Sequence, residues 1–106
     1  MQLVEATELL TTSRTASPFF VVEFGTSAIG MILTITETLE VKVVDMRSDS
    51  SGRPLAALAC GMISIGDVVL AVNGVPLMSH RTLEAVAEEF RRAKRPARVL
   101  FQKMGP

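Results

Sequence analysis

The chain has 106 residues, of which 48% are hydrophobic and 21% are charged. This length suits one domain with one core, and the apolar share excludes intrinsic disorder for most of the chain. Eleven Lys and Arg residues balance eleven Asp and Glu residues. Because the overall charge is neutral, no long-range attraction to nucleic acid is expected, and we exclude nucleic acid as a partner.

The number of cysteines and the lengths of the apolar runs predict the cellular compartment of the chain. Cys60 is the only cysteine, so no intramolecular disulfide can form, and a reducing, cytoplasmic setting is expected. No apolar run reaches the roughly 18 to 20 residues that a membrane span needs, and the segment Met1 to Glu5 lacks the features of a signal peptide. We therefore expect a soluble module, held at the inner face of a membrane only through a partner.

Three strands are predicted in the first half of the chain. Residues 1–18 are predicted to form an extension that is flexible or a short helix. β-Branched and aromatic residues are dense from Phe19 to Phe24, and side-chain polarity alternates from Met31 to Thr36 and from Leu39 to Val44. Both patterns are typical of strands, so the folded domain is predicted to begin at residue 19.

Helices and strands are predicted in the second half. The elements in order are a polar turn (Asp45–Pro54), a short Ala-rich helix (Leu55–Cys60), a strand (Val68–Val72), a brief strand (Val75–Leu77), an amphipathic helix (Thr82–Ala93) and a last strand (Ala97–Lys103). Asn73-Gly74 is a strong signal for a tight hairpin turn. The order predicts an α+β fold, a partly open β-sandwich or barrel of five to six short strands capped by two helices. The domain would span residues 19–103, leaving a tail of 104–106.

Two motifs in this order resemble the PDZ domain family. Gly61 to Gly74 (GMISIGDVVLAVNG) follows the family's pattern of glycine, apolar residue, Gly-Asp, apolar strand and Val-Asn-Gly. Ala28 to Met31 (AIGM) stands where the family has its carboxylate-binding loop. The resemblance implies a PDZ-like fold and a non-catalytic scaffold or adaptor module without cofactor or metal. Such a module binds the C-terminal tail of another protein by adding it as a strand.

The residue types from Ala28 to Met31 are also chemically suited to binding a carboxylate. A glycine between apolar residues at the start of a strand lets the backbone turn sharply, so that successive amides can converge on one anion. The predicted carboxylate-binding loop consists of Ala28, Ile29, Gly30 and Met31. An ordinary hairpin turn is the alternative when these four residues are considered alone.

The predicted peptide groove lies between the second strand and the long helix. The strand would contribute Ile32, Leu33, Thr34 and Ile35. Because Thr is a good N-cap and Leu is not, Thr82 is predicted to cap the helix. With Thr82 as the N-cap, Leu83, Ala87 and Phe90 are predicted to lie on the helix face toward the groove, and Glu89 is predicted to lie outside the groove.

The apolar groove predicts a ligand with a hydrophobic last residue. In the family, a histidine at the first groove position of the helix goes with Ser or Thr two residues before the ligand's end. Leu83 stands there in this chain, which implies an apolar residue at that ligand position, the class II preference.

Accessory contacts are predicted where the chain departs from the family. Many members have Arg or Lys a few positions ahead of the loop, but this chain has Glu23 to Ser27 there. The hydroxyls of Thr26 and Ser27 are therefore predicted to assist. His80, the only histidine, is expected to be a solvated loop residue, with ligand contact as the alternative. No third group completes a catalytic set with Cys60 and His80, and no enzyme activity is expected.

Basic residues cluster at the end of the long helix: Arg91, Arg92, Lys94 and Arg95. Cations there interact favourably with the helix dipole, so a solvated helix end is expected. Contact with anionic lipid head groups, and hence membrane recruitment, is the alternative. Glu88 and Glu89 are expected to support the helix by pairing with Arg91 and Arg92. A regulatory PDZ module of a larger enzyme is a further alternative for the whole chain.

Overall fold

A six-stranded antiparallel sheet with two helices forms the fold in the computed structural model, which describes residues 18–104. The elements are β1 (Phe19–Phe24), β2 (Met31–Ile35), β3 (Val41–Met46), α1 (Ala56–Ala59), β4 (Val68–Val72), β5 (Val75–Pro76), α2 (Leu83–Arg92) and β6 (Ala97–Gln102). The strand order is β1-β6-β4-β3-β2, and β5 pairs with β4. The predicted α+β fold class is confirmed. The predicted N-terminal extension, apart from Pro18, and the last two residues of the predicted tail lie outside the described residues.

The hydrophobic core joins the strands to α2. Alternate side chains of β1, β3 and β6 are buried, β4 contributes Val68, Val69 and Val72, and α2 contributes the buried Val86. Phe24 and Phe101 are the largest fully buried side chains, and the ring of Phe20 stacks on Phe101 at a centroid distance of 5.1 Å. Burying one such apolar side chain contributes about 1.5 to 3 kcal/mol, so this cluster dominates the stability of the sheet.

The helices begin and end at the residues that cap them. Leu55 and Cys60, the ends of the predicted short helix, are the N-cap and C-cap of α1. Thr82 is the N-cap of α2, and Ala93 is its C-cap. Gly61 follows α1 with φ +72°, a conformation that glycine adopts without strain, which explains why the helix ends there.

The third strand begins two residues later than predicted. Leu39, expected to open it, has φ +65° and belongs to a turn in which its amide donates to the carbonyl of Thr36 at 2.9 Å. The hydroxyl of Thr36 also accepts from the amide of Glu40 at 3.1 Å. Because the alternation of Leu39, Val41 and Val43 continues across this turn, the pattern did not reveal where pairing starts.

The Gly61 to Gly74 motif forms the turns on both sides of β4. Asp67 is 1% exposed, and its carboxylate accepts from the Ser64 amide at 2.8 Å and from Lys103 Nζ at 3.1 Å. These bonds tie the end of β6 to the turn before β4. Asn73 and Gly74 both have positive φ between β4 and β5, so the predicted hairpin is confirmed.

Candidate functional site

β2 lies at the edge of the sheet. It pairs with β3 on one side, and in the part of the chain that the structure describes no strand pairs with its other side. All five residues of β2 are only half-buried. An edge strand presents unpaired main-chain N–H and C=O groups that can pair with a further strand.

A groove of about 490 Å³ lies between β2 and α2. It is lined by Ile29, Gly30, Met31, Ile32, Leu33, Leu83, Val86, Ala87, Phe90, Arg91 and Arg95. Val86 is 1% exposed, whereas Leu83 is 46% exposed, so the groove has both a buried wall and an open apolar rim. The two arginines are its only charged lining residues. Such a surface suits an extended apolar segment.

The N-cap of α2 determines which helix residues face this groove. The Thr82 hydroxyl accepts from the Ala85 amide at 3.1 Å, and the helix begins at Leu83. Residues three or four apart share a helix face, so Leu83, Ala87 and Phe90 line the groove together.

Glu89 lies outside the groove lining and pairs with His80. The distance between Glu89 Oε1 and His80 Nε2 is 3.1 Å, and the two side chains are only 15% and 17% exposed. The expectation of a solvated histidine is therefore wrong, and so is the expected pairing of Glu89 with Arg92. Glu88 does pair with Arg91, at 2.7 Å between Oε1 and Nη2.

The loop before β2 is packed tightly against the start of α1. Gly30 has φ +76°, and a Cβ atom built on it would lie 2.6 Å from the Cβ of Leu55. Real Cβ atoms essentially never come that close, so only glycine fits at this position. The loop carbonyls are also occupied, because those of Ala28 and Ile29 accept from the amides of Ala56 and Ala57 at 3.2 and 2.8 Å.

The loop amides point the other way. In a trans peptide the N–H lies opposite the preceding C=O. The carbonyls of Ala28 and Ile29 face α1, and that of Gly30 accepts from the Arg47 amide at 2.8 Å. The N–H groups of Ile29, Gly30 and Met31 are therefore directed away from these partners. Among residues 18–104, the amides of Ile29 and Gly30 donate to no acceptor. Successive free amides of this kind form an anion-binding concavity.

Arg95 contacts this loop from the connection between α2 and β6. Its Nη1 donates to the carbonyls of Gly25 and Ser27 at 2.5 and 3.2 Å, and the side chain also lines the groove. Arg95 was predicted to lie at a solvated helix end or to contact lipid, and its contact with the loop was not predicted. About 70 residues separate the partners, so no local spacing could have indicated it.

Several predicted site residues lie outside the groove lining. They are Ala28, Thr34, Ile35, Thr26, Ser27, His80, Arg92 and Lys94. Ile35 packs against the core, and the hydroxyls of Thr26 and Ser27 make no hydrogen bond within the described residues. Val86 was not among the predicted groove residues, yet it lines the groove.

In residues 18–104, no group of three or more His, Cys, Asp or Glu residues is placed to hold a metal ion. No helix in that range is long and apolar enough to cross a membrane.

The fold and the groove define an antiparallel α+β domain in which an open strand edge lies beside the apolar face of a helix. The family model of the PDZ domain matches residues 48–100, half of the chain, and the chain belongs to the PDZ domain family. The match includes the Gly61 to Gly74 motif and α2 and begins after β3. A comparison with curated proteins found no match. As a PDZ domain, the chain is a peptide-binding, protein-interaction module.

Proposed function

We propose that the groove binds the free C-terminal peptide of a partner protein, added as a strand antiparallel to β2. One observation carries this proposal: an apolar groove follows the open edge of β2 and ends at the loop where, among residues 18–104, the amides of Ile29 and Gly30 have no acceptor. Hydrogen bonds to a charged acceptor contribute about 1.5 to 3 kcal/mol each. Ordering the peptide offsets much of that gain, so binding would be modest and reversible.

The ligand would end in two hydrophobic side chains separated by one residue. Its last side chain would lie among Ile29, Met31 and Phe90, which line the groove near the loop. From Phe90 back to Leu83 the helix rises about 10 Å, and two residues of a strand span about 7 Å. Leu83 is therefore within reach of the third residue from the end, which supports the class II preference.

We propose that the chain serves as a scaffold or adaptor in a cytoplasmic signalling assembly, where the groove would join it to a partner protein. We propose residues 19–103 as the unit that folds and binds. Lipid recruitment is less well supported, because Arg91 is neutralised by Glu88 and Arg95 is held against the loop as part of the groove lining.

Titration calorimetry with matched peptides tests the proposal. The probe is an octapeptide ending in Leu-Ser-Val, and its controls are the C-terminal amide and a version ending in Ser-Ser-Ser. We expect the free acid to bind at least about tenfold more tightly than the amide, since one hydrogen bond to a charged group corresponds to that factor or more. Equal affinity for the acid and the amide would refute carboxylate capture. Equal affinity for the apolar and Ser-ended acids would refute the hydrophobic preference.

A further inference from the structure

Arg95 is the groove-lining cation that has no acidic partner. The other, Arg91, is neutralised by Glu88. In the described part of the chain, no carboxylate lies within ion-pair distance of Arg95. Its hydrogen-bond partners among the described residues are two main-chain carbonyls, which orient the guanidinium without cancelling its charge.

The sheet places this guanidinium beside the loop. Phe24, the last residue of β1, pairs with Ala97, the first residue of β6. Arg95 is two residues before Ala97, and Gly25 directly follows Phe24. The pairing of β1 with β6 therefore holds Arg95 next to the segment that leads into Ile29 and Gly30. The register of β1 and β6 therefore fixes the backbone of Arg95 beside the loop, so that its position does not depend only on the side-chain conformation.

We propose that Arg95 supplies the cation for the ligand's carboxylate, in place of the basic residue that the sequence ahead of the loop lacks. The inference rests on the proposed function. A guanidinium has five N–H donors in one plane. While Nη1 is bound to the carbonyls of Gly25 and Ser27, Nη2 and Nε remain available for a carboxylate. The free amides of the loop and this cation would together select a negatively charged group at the closed end of the groove.

Arg95→Met removes the charge and keeps most of the apolar stem. Arg95→Gln removes the charge but keeps an N–H donor for the loop carbonyls, and it also replaces the Met variant if that variant fails to fold. Arg92→Met is the matched control, because Arg92 is also exposed at the end of α2 but does not line the groove. It changes the net charge equally.

The measurement is the ratio of affinities for the octapeptide acid and its amide, in each variant. Because Arg95 is exposed, its charge is partly screened, and we expect both Arg95 variants to lower that ratio roughly three- to tenfold. Arg92→Met is expected to leave the ratio unchanged. Raising the salt concentration should reduce the ratio in the unmodified chain more than in Arg95→Gln. An amidated peptide with Asp in place of the last Val tests whether a side-chain carboxylate is accepted as well as a chain end.

The outcomes separate this inference from the proposed function. An unmodified chain that prefers the acid, with the same preference in both Arg95 variants, overturns only the role of Arg95. Acid and amide affinities that fall equally in Arg95→Gln would show that Arg95 merely organises the loop, which also overturns it. An unmodified chain with no preference for the acid overturns both proposals.

Discussion

Replacing Gly30 with alanine is expected to destabilise the domain through both its backbone and its packing. A left-handed backbone costs a non-glycine residue roughly 1 to 2 kcal/mol. The new Cβ would also lie 2.6 Å from Leu55 Cβ and 2.8 Å from Leu55 Cδ1, and overpacking of this kind costs typically about 1 to 3 kcal/mol. The free energy of unfolding should therefore fall by about 2 to 5 kcal/mol.

Urea denaturation of Gly30→Ala beside Gly25→Ala measures this effect. Gly25 is the matched control, because a Cβ atom there meets nothing within 4 Å and its φ is not in the left-handed region. Its substitution should change stability by less than about 1 kcal/mol. Adding Leu55→Ala to Gly30→Ala should rescue only part of the loss, since Ala keeps the Cβ that makes the closest contact. A Gly30→Ala variant as stable as Gly25→Ala would refute the described packing of the loop on α1.

Three further predictions concern specificity, stability and pH. Leu83→His should shift the ligands selected from a C-terminal peptide library toward Ser or Thr two residues before the end; an unchanged selection would contradict the assigned face of α2. Asp67→Ala should lower the free energy of unfolding by about 1 to 3 kcal/mol, because it removes a buried carboxylate that accepts from the Ser64 amide and from Lys103 Nζ, whereas Lys103→Met should cost less, since Lys103 is 40% exposed; urea denaturation of both variants compares them, and equal losses would contradict this order. Hydrogen bonds from the Ser51 hydroxyl and from nearby backbone amides lower the pKa of Asp49. The contribution of Asp49 to stability is therefore present above its unfolded-state pKa and is lost as pH falls through the lowered folded-state pKa. An NMR titration that finds the ordinary pKa for Asp49, or that finds no upward shift of this pKa in Ser51→Ala, would contradict this cause.

The fold could be predicted because its signals are local. The tight turn at Asn73-Gly74, the Thr82 cap and the amphipathic helix each depend on residues within a few positions of one another. The PDZ resemblance added the expected place of the peptide groove, between the second strand and the long helix. The start of β3 was misplaced because Leu39 continues an apolar alternation while its backbone is left-handed, and polarity patterns carry no information on φ.

The candidate site was only partly predictable, because some of its residues follow from local sequence signals and others meet only through the packing of separate elements. Leu83, Ala87 and Phe90 follow from one capping residue and the helical repeat, and the structure brings them to the groove. The pair of His80 with Glu89 and the contact of Arg95 with the loop depend on how separate elements pack. Charged residues at the end of a helix can be explained locally by the helix dipole or by lipid contact. Only the pairing of β1 with β6 places Arg95 beside the loop.

The position of α2 beside β2 also limits how far the sheet can extend. Neighbouring strands lie about 4.8 Å apart, and an open edge can recruit one strand after another until chains aggregate. Here the helix lies on the far side of the groove, so a strand added to β2 would meet α2 and not open water. At this edge the sheet could then grow by one strand and no more, which would keep a strand-accepting edge compatible with a discrete complex.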